Sequence, residues 1–240
     1  MKCIILAAGE GIRMRPLTID TPKPMLPLLG KPLLEHIIEA LPEEIDEIIM
    51  VVGYLHKQIQ DYFGDSFGPR YAEGSGEARR FKIDYVIQKE KTGTYDALEL
   101  CSNLLKDNER FLLLYADDIH GRGGLEKCTR SENLCLLVAE SDNPKKFGVV
   151  EIDKEGIIKG VEEKPENPKS NLVSTGVLLL DKNIFKYPAR KHPNGEHYLT
   201  DSIEQMIEDG HKFSAVKSEL WLPIGYPEDL KRAEEILRKL

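Results

Sequence analysis

Apolar and polar residues follow two rhythms along this chain. Residues 3–6, 46–52 and 111–116 are short, nearly unbroken apolar runs, the pattern of strands buried on both faces. Residues 32–41, 56–63 and 94–105 place apolar side chains at helical spacing, and Pro32 suits a first helical turn. Residues 81–88 alternate as a strand. Strand followed by helix or loop, four times before residue 120, predicts an open α/β sheet, mixed but mostly parallel and covered on both faces. The ligand of such a sheet is expected beyond the carboxyl ends of its strands.

The rhythm changes near residue 131. Residues 134–139, 148–152, 157–162 and 173–180 predict strands, with Asp153-Lys154-Glu155-Gly156 as a hairpin turn between two of them. Residues 181–187 and 199–209 predict helices, the second capped by Thr200 or Asp201 and stopped by Gly210. Residues 212–217 read as another strand and 227–240 as a terminal amphipathic helix. Residues 64–80, rich in Gly, Pro and mixed charge, predict a mobile loop. Its Arg70, Arg79 and Arg80 suit a solvated surface better than a phosphate or a neighbouring subunit. No repeat or linker interrupts the pattern, so a single domain over residues 1–240 is expected.

Composition narrows the partners. With 41% hydrophobic and 31% charged residues, and no apolar run of membrane-spanning length, the chain reads as a soluble cytoplasmic protein with no membrane contact. Its net charge of −8 argues against a nucleic-acid surface, so any polyanion site must be a local concentration of Arg and Lys. Cys3, Cys101, Cys128 and Cys135 lack metal-ligand spacing and sit among apolar residues, which predicts buried thiols.

One such concentration follows the first strand, in LAAGEGIRMRPLTIDTPKPMLP. Gly9 and Gly11 let the backbone approach an anion, Arg13 and Arg15 bring fixed charge, and Lys23 stands between Pro22 and Pro24. The pattern describes a polyphosphate grip. It is not a dinucleotide fingerprint, because Met14 stands where a third glycine is required, and no Gly-Lys-Ser/Thr follows to make a P-loop.

Further candidates lie at strand ends. Gln88 offers an amide donor and acceptor suited to a base edge, close to Gly93 and Thr94 at a helix start; an ordinary helix entry fits the same residues. Asp117 and Asp118 end a buried strand, where they suit magnesium, or else helix capping or a surface acid. Gly148, Glu163, Lys164, Ser174 and Thr175 fall at strand ends or turns, where a glutamate can accept from sugar hydroxyls and a lysine can meet a phosphate.

Taken in order, these segments resemble the sugar-nucleotidyltransferases, the NDP-sugar pyrophosphorylases of the glucose-1-phosphate thymidylyl/uridylyltransferase kind. Residues 6–18 match L-A-G-G-x-G-T-R-(L/M)-x-P-L-T and residues 22–27 match P-K-P-(M/L)-L-P. Gln88 with Gly93, Thr94, Ala97 and Leu98 matches Q-x4-G-T-x-x-A-(L/I). Further matches are Ala116-Asp117 to G-D, residues 147–150 to (Y/F)-G-V-V, residues 163–165 to E-K-P, and 174–176 to N-(A/T)-G. Glu196 with Leu199-Thr200-Asp201 is similar to E-x-x-L-T-D, a mostly structural segment, and residues 221–230 to W-x-D-(I/V/T)-G-T-P-E-D-L. Three departures stand out: Ile12 for Thr, Ser174 for Asn, and Pro223 for the Asp that usually gives the metal a second ligand.

The resemblance implies the nucleotide-diphospho-sugar transferase fold with a β-rich sugar side, and no β-helix domain after it. It implies transfer from an NTP, UTP or dTTP favoured by Gln88, to a sugar 1-phosphate, with Mg2+ as cofactor. By the same resemblance Leu6, Ala8, Gly9, Gly11, Arg13, Gln88, Gly93 and Thr94 hold the nucleotide. Gly148, Glu163, Lys164, Ser174 and Thr175 hold the sugar phosphate, Asp117 the metal, and Arg13, Lys23 and Lys164 the reacting phosphates. A homo-oligomer is compatible with this reading. The alternative is a catalytically weak relative that binds a sugar nucleotide as sensor or regulatory subunit, to which the three departures point.

Overall fold

The computed structural model describes residues 1–68 and 80–240. Its strands are β1 (Lys2–Ala7), β2 (Pro27–Leu28), β3 (Lys31–Pro32), β4 (Glu47–Val52), β5 (Ser66–Phe67), β6 (Phe81–Ile87) and β7 (Arg110–Tyr115). After them come β8 (Asp118–His120), β9 (Leu134–Glu140), β10 (Gly148–Ile152), β11 (Ile158–Glu163), β12 (Leu172–Asp181), β13 (Phe213–Lys217) and β14 (Trp221–Pro223). The helices are α1 (Leu33–Glu39), α2 (His56–Phe63), α3 (Thr94–Glu99), α4 (Arg122–Thr129), α5 (Leu199–Glu208) and α6 (Pro227–Leu237). None is long and apolar enough to cross a membrane.

Ten strands make one mixed sheet, ordered β11-β10-β12-β7-β1-β4-β6-β5, with β9 pairing β12 and β13 pairing β9. The segment β7-β1-β4-β6 is parallel. Beyond β7 the sheet turns antiparallel through β12, whose residues 177–181 pair with 110–114. Period-2 alternation divides the core between two faces. Cys3, Ile5 and Ala7 of β1 pack with α1, α2 and α4 side chains such as Leu34, Phe63 and Leu125. Ile4 faces the other way, with Leu98 of α3 and Ile203 and Met206 of α5. Burying one such side chain contributes about 1.5–3 kcal/mol, and both faces are filled.

Several elements differ from the sequence reading, each for a local reason. The helix expected over 94–105 stops at Glu99 and resumes as a 3-10 turn, Ser102–Leu104, where Ser and Asn favour turns over helix interior. Helix α1 starts after Pro32, and α6 ends at Leu237. Neither Thr200 nor Asp201 caps α5. Its first amide donates to the Thr94 hydroxyl (3.0 Å), Thr200 Oγ1 donates to Glu163 (3.2 Å), and Asp201 pairs with His192 (2.8 Å). Within the expected loop 64–80, Ser66–Phe67 forms β5, and Arg80 donates to the Ser66 carbonyl at 2.9 Å and to its hydroxyl; Arg70 and Arg79 lie outside the described residues.

Helix α4 was masked by Gly123 and Gly124 in its first turn. Both glycines make room for the Glu219 carboxylate, which accepts from Gly124 N at 2.7 Å and places negative charge at the positive helix end. The four cysteines are buried thiols, as expected.

His120 of β8 is buried, and neither of its ring nitrogens has a hydrogen-bond partner among the described residues. Burial pushes its pKa down to about 4. In the unfolded chain it would take a proton below about 6.5, while the folded protein refuses it until about pH 4. Stability from this residue is therefore full above pH 6.5 and lost as the pH falls toward 4, by about 3 kcal/mol. Denaturant titrations across that range are expected to give a shallower acid slope in His120→Leu; identical slopes would refute the assignment.

Candidate functional site

The end of β1 sets the site. After Ala7 the chain leaves the sheet at Ala8 and Gly9, and a Cβ on Gly9 would meet nothing within 4 Å. Gly11 is different. Its φ of 61° is left-handed, and a Cβ there would stand 3.0 Å from Lys23 Cβ and 3.1 Å from Thr18 Cγ2. Gly11 therefore admits Lys23 rather than an anion, while the Thr18 hydroxyl holds the Gly11 carbonyl at 2.8 Å. Lys23 is 7% exposed and presents Nζ to Asp117 Oδ2 at 3.1 Å.

A cavity of about 380 Å³ opens over this loop. Leu6, Ala8, Gly9, Gly11, Arg13, Gln88, Gly93 and Thr94 all line it, joined by Lys23 and Asp117. Gln88 Nε2 donates to the Gly93 carbonyl (3.3 Å). Gly93 has φ 115° and lies against His197, whose amide donates to Thr92 O (2.7 Å) and whose carbonyl accepts from Tyr95 N (3.1 Å). The 92–95 turn is thus laced to residues 197–199. Lys91 Nζ reaches Glu10 at 2.7 Å, and that bond holds the Glu10 carboxyl below its usual range.

A second cavity, about 560 Å³, adjoins the first. Gly148, Glu163, Lys164, Ser174 and Thr175 line it, together with Arg13, Asp117, Asp118, Lys146, Pro223 and Tyr226. Lys164 adopts φ 44°, uncommon for a side-chain-bearing residue, and its Nζ lies 2.8 Å from Glu163 and 4.7 Å from the Tyr198 ring centroid. Burial opposes the charge of Lys164, but Glu163 outweighs it and the pKa rises. The Thr175 hydroxyl donates to Leu137 O at 3.0 Å, so its proton is not free for a ligand. Tyr198 donates to Glu196 at 2.5 Å, and Asn194 donates to both.

Arg13, Thr94, Tyr115, Asp117, Glu196, Tyr198 and Gly225 line both cavities. Glu196, expected to be mostly structural, therefore stands at the junction, whereas Leu199, Thr200 and Asp201 of the same segment do build α5. The sequence analysis does not single out Tyr115, Tyr198, Lys91, Lys146 or Tyr226, although Tyr198 lies inside the E-x-x-L-T-D match and Tyr226 inside the 221–230 match, where it stands for Thr. Asp118 does not project freely. It accepts from Trp221 Nε1 (2.8 Å) and Ile224 N (3.3 Å) and pairs in register with Pro223. Burial first, and Asp117 beside it second, raise its pKa to about 7.

A parallel sheet with a cation-bearing loop at the end of its central strand, against a second polar cavity, makes this an α/β protein with its ligand site beyond the carboxyl ends of the strands. Two solved structures share the fold. UDP-glucose pyrophosphorylase complexed with UDP-glucose matches with TM-score 0.80 and 25% identity over 99% of this chain and 98% of that one. A Bacillus anthracis protein assigned as a glucose-1-phosphate thymidylyltransferase, in complex with a sucrose, matches with TM-score 0.82 and 28% identity over 100% and 96%. The chain belongs to the nucleotidyl transferase family, whose model matches residues 2–239. It is 37% identical to the bifunctional protein GlmU of Methanocaldococcus jannaschii, over 99% of this chain and 54% of that protein, so it spans about half the length of that relative. It is 33% identical to the UTP–glucose-1-phosphate uridylyltransferase AglF of Haloferax volcanii, over 100% of this chain and 97% of that one.

Proposed function

We propose that the protein joins an NTP, with UTP or dTTP favoured, to a sugar 1-phosphate and releases pyrophosphate. The observation that carries this reading is the shared wall. Arg13 and Asp117 face both cavities, so a nucleotide in the first and a sugar phosphate in the second would meet beside them. A phosphate oxygen of the sugar 1-phosphate attacks the α-phosphorus. The bond from that phosphorus to the oxygen bridging toward the β-phosphorus breaks, and its electron pair leaves with pyrophosphate.

No protein nucleophile is needed, so the chain contributes position and charge. Gln88 Nε2, turned from the Gly93 carbonyl, would meet the base, and the open face of Gly9 would admit the phosphates. Lys23 would stabilise the α-phosphate and Arg13 the departing group. Lys164, steered by Glu163 and the Tyr198 ring, would hold the sugar phosphate. Glu196 and Ser174 offer acceptors for sugar hydroxyls.

The donor set fits a hard divalent cation that takes one or two carboxylates and completes its shell with phosphates and water. Asp117 would hold Mg2+; Asp118 lines the same cavity but keeps its carboxylate on Trp221 and Ile224, and Pro223 contributes no side-chain ligand. Bound there, the ion would neutralise phosphate charge. The Pro223 departure also favours the second reading, a sugar-nucleotide binder of low activity.

One plate separates the two. Pyrophosphate release is measured with UTP, dTTP, GTP, CTP and ATP against a panel of sugar 1-phosphates, with and without Mg2+. Release that requires both substrates and Mg2+, strongest with UTP or dTTP, is the expected result. Silence throughout, with UDP-glucose or dTDP-glucose still raising the melting temperature, would overturn the transferase in favour of the binder.

A further inference from the structure

Two cations of the second cavity converge on one aromatic ring. Arg13 Cζ lies 5.4 Å from the Tyr226 ring centroid and Lys146 Nζ lies 5.3 Å from it. Both distances are within cation–π range. The three residues come from separate parts of the chain: the loop after β1, the 3-10 turn before β10, and the residue that precedes α6. Among the described residues neither Arg13 nor Lys146 has a carboxylate within 4.0 Å, although Lys23, Lys91 and Lys164 around the same cavities all do. In a chain with net charge −8, two unpaired cations gathered on one ring await an anion.

The ring and the Lys146 turn are held from behind. Asp229 Oδ2 accepts from the amides of both Gly225 and Tyr226 at 2.8 Å, which fixes the turn that carries the ring. Phe147 packs edge-on against Trp221 with centroids 5.0 Å apart, and its carbonyl accepts from Lys164 N at 3.0 Å, so the backbone beside Lys146 is anchored as well. The turn, not the side chain, is the fixed element. Lys146 itself is exposed and can close on a ligand.

We propose that Lys146 is a second cation on the departing pyrophosphate, and that Tyr226 is the residue that positions Lys146 and Arg13 for it. This rests on the transferase reading. The group that leaves when the sugar-phosphate oxygen bonds the α-phosphorus carries several negative charges at neutral pH. Arg13, even with Mg2+ at Asp117, leaves part of that charge uncompensated. Lys164 is already matched to Glu163 on the sugar side, and Lys23 to Asp117 between the cavities. Lys146 lines only the second cavity, but it meets Arg13, which lines both, on one ring at the shared wall, where it can close on a group that Arg13 holds. Pyrophosphate bound in this clamp is also the substrate of the reverse reaction, in which it attacks the α-phosphorus of the NDP-sugar and expels the sugar 1-phosphate.

The test is equilibrium calorimetry on the full chain in Mg2+, with inorganic pyrophosphate, UDP-glucose and dTDP-glucose as separate probes. Lys146→Met, which loses one charge-assisted contact, and Tyr226→Ala are each expected to weaken pyrophosphate about tenfold with NDP-sugar affinity unchanged, and Lys146→Met with an unchanged melting temperature. Tyr226→Phe keeps the ring and is expected to bind pyrophosphate as the wild type does. The KM for pyrophosphate in the reverse reaction should rise in parallel while the KM for NDP-sugar stays. Unchanged pyrophosphate affinity in Lys146→Met, or an equal loss for NDP-sugar, overturns the clamp alone. A wild type that binds neither pyrophosphate nor either NDP-sugar overturns the transferase reading and the clamp with it.

Discussion

Lys23→Ala is expected to lower turnover about 100- to 1,000-fold, the usual cost of removing one preorganised charge from a phosphate-transfer site. The position makes the loss larger than that of a surface lysine. Lys23 is 7% exposed and packed on Gly11, so its ammonium has little freedom and is aimed before any ligand arrives. It is also the cation on Asp117, 3.1 Å away. Alanine would remove both a contact to phosphate and the counter-charge of the carboxylate beside it. Turnover should fall while KM for the sugar phosphate moves little, and the circular dichroism spectrum should match that of the wild type. A folded variant with near-normal turnover would remove Lys23 from the chemistry.

Gly93→Ala is expected to damage the fold as well as the site. A Cβ there would stand 2.2 Å from the carbonyl oxygen of His197 and 2.5 Å from its nitrogen, both backbone atoms that cannot swing aside. The φ of 115° adds strain for any residue other than glycine. Relief requires the 196–199 segment to retreat, which breaks the Tyr95–His197 and His197–Thr92 hydrogen bonds and frees the first amide of α5 from Thr94. A loss of about 3 kcal/mol or more follows, a fall of roughly 6–12 °C in melting temperature for a chain of this length. Glu196 and Tyr198 would move with the segment, so both substrates should bind more weakly. A variant melting within about 2 °C of wild type would mean that the two segments are not locked together.

The contrast between Gly9 and Gly93 marks how far sequence could go. Residues 6–27 are legible as one wall of a cavity because they are contiguous: strand, glycines, arginine and proline-framed lysine follow one another. The purpose of Gly93 is not, because its cause is the backbone of a residue about a hundred positions later. The same holds for the second cavity. Glu163 and Lys164 could be named from a short string, but Lys146 and Tyr226 acquire meaning only when a 3-10 turn and the start of α6 meet over one ring. Among the elements, the long buried strands were read correctly since unbroken apolar runs admit little else. Strands β8 and β14, with three residues each, are too short to show a period, and the glycines of α4 serve Glu219 rather than helix propensity. Pro223 takes the place of a family ligand; the structure adds that it lies opposite Asp118, whose carboxylate is spent on bracing Trp221 and Ile224.

The ladder between β7 and β12 fixes how the two cavities can open. Five residues of each strand are paired, so the parallel half and the antiparallel half are parts of one continuous sheet. Jaw-like parting would have to break those rungs in the middle of the core. Traffic is left to the rim, where the loop after β1 and the turn before α3 meet through Glu10 and Lys91. Large ligands would then enter and leave by the movement of a few loop residues, and backbone amides of β7 and β12 should stay among the slowest to exchange whether the site is empty or full.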